Sequence, residues 1–133
     1  MAQKDSEWGL LCCIVKDPSI VAECEIESLA ECDFFSPLYR YLYAKMFKLY
    51  TDGRKTIDEV TLRTECDHGL DILLRAEQVE KNRLFTALFT SHVSPANASV
   101  FIHDMIELSM QSAINSSLDE FNTSRRKIGR AHV

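Results

Sequence analysis

Apolar residues recur along this chain at intervals of three and four, and nowhere alternate with polar ones over a strand-length run. That period marks amphipathic helices. Ser6 reads as an N-cap, with Trp8, Leu11, Cys12 and Val15 following on one stripe. Asp17-Pro18 ends this helix and opens the next, proline being harmless where its missing N–H has no partner to lose. Ile20, Val21, Cys24 and Leu29 give the second helix a buried side, and Glu23, Glu25, Glu27 and Glu31 a solvated one. Ser36-Pro37 repeats the start signal, and Leu38, Tyr41, Leu42, Met46 and Leu49 then form a long apolar face. Thr51-Asp52-Gly53 stops it, glycine accepting the left-handed conformation of a helix end. Asp58 caps a short helix carrying Val60 and Leu62, and Ile57 plugs the core at the joint.

His68-Gly69 marks a further break, and one or two helices follow over residues 70–92, with Ile72, Leu73, Leu84, Phe85, Leu88 and Phe89 as their core. Ser94-Pro95-Ala96-Asn97 is the last punctuation, after which a helical pattern runs from Ala98 to about Phe121. The pattern predicts an all-α fold. A compact multi-helix globular subdomain occupies residues 1–96, and residues 97–133 form a long C-terminal helix and tail.

The final helix differs in kind. Ile102, Ile106, Met110, Ile114 and Leu118 stand four apart with Phe121 close by, while Phe101, Met105 and Leu108 form a second stripe. Two stripes need two covering surfaces. One is met by the helix's own domain, and the other is expected to meet a helix of a second copy, making residues 97–133 a dimerisation element. The residues expected at that contact are Ile102, Ile106, Met110, Ile114, Leu118 and Phe121.

Charge narrows the partners. The net charge is −5, yet the last ten residues hold Arg125, Arg126, Lys127 and Arg130 and no acid. Setting those four aside leaves −9 on residues 1–124. Such a body repels a phosphate backbone, so direct nucleic-acid binding is expected to be weak or absent apart from the tail. No apolar run is long enough to span a bilayer, and the acidic start is unlike a signal peptide, so a cytoplasmic protein is expected without a membrane partner. The five cysteines include no C-x-x-C pair, and reduced, buried thiols are the expectation.

Candidate chemistry is sparse. The sequence holds no phosphate-cradling G-x4-G-K-[ST], no G-x-S-x-G and no H-E-x-x-H. His68 beside Cys66 and Asp67 comes nearest to a metal cluster, but neighbours on a helix end point apart. Paired acids such as Glu77 with Glu80 stand among lysines and arginines, which is the composition of a solvated face. The expectation is a chain with no catalytic, cofactor-binding or metal-binding residues, and so no enzyme by itself.

Several segments nevertheless form a known pattern. Glu7-Trp8 through Asp17-Pro18, then Asp33-Phe34-Phe35, then Leu38 to Met46 follow one another in a familiar order. Leu49-Tyr50, Gly53 and Ile57-Asp58-Glu59-Val60-Thr61-Leu62 continue it, and Ser94-Pro95-Ala96-Asn97-Ala98 closes it. The set resembles the N-terminal domain of DnaB-type replicative DNA helicases. Tyr39 stands where the family has histidine, and Glu80-Lys81-Asn82-Arg83 where it has paired glycines. The divergence is that expected of a phage, plasmid or otherwise distant relative, or of an isolated piece of a longer helicase, the family's ATPase domain being absent from these residues.

The resemblance implies a non-catalytic collar module. It self-associates through a helical hairpin, of which the long helix is the first arm, and docks a helicase or primase. Two alternatives accompany it: a standalone protein that loads or inhibits a host's replicative helicase, and a DNA-binding regulator using the basic tail.

Overall fold

The computed structural model describes residues 3–112, and every regular element among them is helical. In chain order these are α1 (Gln3–Lys16), α2 (Ile20–Ile26), α3 (Pro37–Thr51), α4 (Glu59–Glu65), α5 (His68–Glu77), α6 (Lys81–Thr90) and α7 (residues 98–112). Single 3-10 turns, Glu31–Asp33 and Pro95–Asn97, precede α3 and α7.

The architecture is wrapped around α1. From Leu10 to Ile14 every residue is fully buried, so this helix has no solvent side over more than a turn. The expected single stripe of Trp8, Leu11, Cys12 and Val15 was too narrow. Leu10, Cys13 and Ile14 are buried as well, because α3, α6, α2 and the Pro95–Asn97 turn enclose the helix from several directions. Around it, α3 carries α4 and α5 on its far side. Leu38, Leu42, Tyr43, Met46 and Leu49 form its buried face, with the Phe34 ring stacked on Tyr43 at 4.8 Å.

Local chemistry sets the helix starts. The Ser36 hydroxyl accepts the Tyr39 N–H at 3.3 Å with Pro37 opening α3, and the Asp58 carboxylate accepts the Thr61 N–H at 2.7 Å to open α4. Two expected signals lie elsewhere. Ser6 does not cap α1, which begins three residues earlier. It is a buried interior residue whose hydroxyl donates to Asp104 at 3.4 Å, so a tertiary partner has replaced the local one. The break expected at His68-Gly69 falls one step earlier, where Asp67 caps α5 through the Gly69 N–H at 2.9 Å. Gly69 packs closely under Tyr41: a Cβ there would stand 3.0 Å from both the Tyr41 ring and the Asp67 carboxylate, tight enough that one of them must give.

Three helices end alike. At Gly53, Ser28 and Gln78 the backbone turns left-handed, and the next N–H bonds back five residues: Arg54 to Leu49, Leu29 to Cys24, Val79 to Leu74. Ile72, expected in the core, is 65% exposed; Leu70 and Leu74 supply the buried side of α5 instead.

Candidate functional site

The long final helix begins as part of the core. The Ser94 hydroxyl accepts the Ala96 N–H, and the turn over Pro95–Asn97 feeds directly into α7. Ala98, Ile102 and Met105 are buried against the preceding helices. Phe101 lies flat on Gly9 of α1, so closely that a Cβ at residue 9 would meet three ring carbons at 2.6 to 2.9 Å. Glycine is the only residue that lets these two helices approach to that distance.

Polar contacts fasten the same helix along its length. Ser6 reaches Asp104 as above, His103 Nε2 stands 3.4 Å from Glu27 Oε2, and the Ser109 hydroxyl donates to Asp33 Oδ1 at 2.6 Å. Thus α7 is tied to α1, to the residue that ends α2 and to the turn before α3.

The six residues expected at a contact separate on this seat. Ile102 is only 1% exposed and belongs to the domain's own core, so it offers nothing to a second copy. The reason is phase: Ile102 shares the face of Ala98 and Met105, which the body already covers. Ile106 is half-buried and Met110 is 60% exposed. These two line a groove of about 460 Å³ with Glu27, His103, Glu107 and Gln111. Ile114, Leu118 and Phe121 lie outside the described residues. The sequence reading missed Glu27 as a groove residue, since on α2 alone it is one of several solvated acids. Ile26 beside it, 80% exposed, was unremarked for the same reason.

A second groove, of about 470 Å³, opens between the start of α1, the start of α3 and the α5–α6 connection. Trp8 and Tyr39 form its aromatic wall with centroids 5.5 Å apart, and Lys4 lies over the Tyr39 ring and 4.0 Å from Glu77. Burial, assisted by the Glu77 and Glu7 carboxylates, pushes the Tyr39 phenol up and keeps it protonated.

The titratable groups describe binding surfaces better than reactive ones. Burial raises the thiols of Cys12, Cys13, Cys24 and Cys66, Cys13 to about 11 and Cys24, beside the Tyr43 hydroxyl, to about 12. A thiol at these values is a small apolar group at neutral pH. No three His, Cys, Asp or Glu residues are grouped to hold a metal among the described residues. His68 projects into solvent beside Asp71 at 3.6 Å, away from Cys66.

With this geometry in hand, a family comparison is decisive. The model of the DnaB-like helicase N-terminal domain matches residues 2–106. The chain belongs to that family. No curated protein and no solved structure matches it. As a DnaB-like N-terminal domain it is related to replicative helicases, and the matched region runs from the start of α1 to Ile106, a half-buried residue of the α7 groove. Among the described residues no helix is long and apolar enough to cross a membrane.

Proposed function

We propose that this chain is a non-catalytic assembly and partner-docking module of DNA replication, which associates with a second copy through α7 and presents its helical body to a replicative helicase or primase. The observation that carries this reading is the family match over residues 2–106. It is supported by the way α7 leaves the body. The Gly9–Phe101 contact and the buried Ala98, Ile102 and Met105 seat the helix on the body, Ile106 packs half-buried at the edge of that seat, and Met110 stands exposed beyond it. An exposed methionine beside a half-buried isoleucine on a seated helix is apolar surface that another surface can complete. The working contact on the described residues is Ile106 and Met110, with Ile102 reassigned to the core.

The joint at Gly53–Leu62 serves this role as scaffold. Gly53 at φ +93° turns the chain, Ile57 anchors it and Asp58 restarts it, so α4 and α5 are carried on α3 in a fixed pose. Light scattering over a concentration series tests self-association. A chain that stays monomeric at tens of micromolar, with wild-type and Met110→Asp alike, defeats the pairing. Co-purification with helicase and primase then tests docking, and failure to retain either defeats that part.

A further inference from the structure

The groove on α7 has a charge of its own. Between Lys16 and Arg40 the sequence holds Asp17, Glu23, Glu25, Glu27, Glu31 and Asp33 and no lysine or arginine. Glu27 brings that acidic stretch to the groove edge, Glu107 adds to it from α7, and Ile106 and Met110 form the apolar floor. Among the described residues no lysine or arginine lines it, and the His103 ring stands 3.4 Å from Glu27. The complementary segment is in the same chain: Arg125, Arg126, Lys127 and Arg130, with Ile128 among them and no acid from residue 124 onward. The helical pattern to about Phe121 carries the chain about 15 Å past Gln111, and the residues from 122 to 125 can return about 13 Å when extended, enough to bring the basic segment back to the Gln111 end of the groove.

We infer that the basic segment 125–130 docks on the acidic, apolar groove of its own chain and so covers Ile106 and Met110 until a second copy displaces it. The inference rests on the self-association reading and adds its regulation. Tethering puts the segment at an effective concentration near the millimolar range, so a weak contact suffices to occupy the groove. If nine chains in ten are covered, only one in ten of each partner is competent, and pairing of two copies weakens about a hundredfold. Because the contact is between solvent-exposed charges, salt weakens it.

The test compares the full chain with one ending at Asn122 and with the R125Q/R126Q/K127Q/R130Q chain, in 50 mM and 500 mM salt. Both altered chains should pair about a hundredfold more tightly at low salt, and the full chain should approach them at high salt. Zero-length carbodiimide coupling at low salt should join Lys127 to Glu27 or Glu107 within the monomer. Equal pairing of all three chains, or coupling that appears only between copies, overturns the inference. If none of them pairs, the self-association reading fails. The intramolecular coupling then decides docking of the segment by itself, its absence overturning the inference.

Discussion

Two helices of this domain are almost equally apolar in sequence and are used in opposite ways. In α1 the residues from Leu10 to Ile14 vanish completely into the interior. In α7 burial is complete at Ala98, Ile102 and Met105, partial at Ile106 and largely lost at Met110, one turn further on. Apolar content does not separate them. What separates them is how far burial runs around each helix: α1 is enclosed by α2, α3, α6 and the Pro95–Asn97 turn, whereas the described part of α7 keeps one face on the body, from Ala98 to the Ser109–Asp33 hydrogen bond, and leaves Met110 outside. The lesson is that an apolar stripe measures a demand for cover, and where the cover comes from is decided by the rest of the fold.

The contrast is most easily broken by truncation. Leu11→Ala should cost about 3–5 kcal/mol, because α1 cannot collapse around the cavity, while Met110→Ala should change stability by less than about 0.5 kcal/mol. Urea unfolding of the monomer reads both, and similar losses would erase the distinction. Where the two helices touch, Gly9→Ala forces the Phe101 ring to move and should cost about 1–3 kcal/mol. In a Phe101→Leu background the same change should cost less, and a double-mutant cycle with no coupling would deny the contact.

Smaller effects sharpen the picture. Ser109→Ala removes one hydrogen bond to Asp33 and should lower stability by about 0.5–1.5 kcal/mol while raising amide exchange in α7 and leaving α1 protected. Exchange raised equally in both helices would show that α7 is no less anchored than α1. Acid acts elsewhere. Hydrogen bonds from Thr61 hold the Asp58 carboxyl below its usual range, and those from Tyr41 and Gly69 do the same for Asp67. Folded values below the unfolded 3.8 mean that the ionised caps stabilise the fold above that pH and are lost as pH falls through the lowered folded values. Amides at the starts of α4 and α5 should therefore lose protection on acidification before those of Leu10 to Ile14 in α1, whose burial is apolar. Simultaneous loss in hydrogen exchange would contradict this.

How much was legible follows from where each signal lives. Gly53 announced a left-handed helix end because only glycine adopts that conformation freely, whereas Ser28 and Gln78 do the same without any cue. There the turn is held by Leu29, buried after it, and by Val79, packed on the core, which are tertiary contacts. Ser36-Pro37 and Asp58 were readable because a cap acts within three residues. Ser6 looked identical and was not a cap, since Asp104 lies 98 residues away. Of the candidate groove, Ile106 and Met110 were visible as a stripe. Glu27 was not, because nothing local tells one solvated glutamate from another.

The sequence by itself determined the helical class, the order of breaks and starts, the family and the separation of an acidic body from a basic segment. These depend on periodicity, short-range hydrogen bonding and charge, all of which act between residues near one another in the chain. Tertiary structure alone decided that α1 is buried on every side, that Gly9 exists to admit Phe101, and that Ile102 belongs to the core while Met110 faces outward. Those outcomes depend on which surfaces meet, and a stripe of apolar residues carries no record of what will cover it.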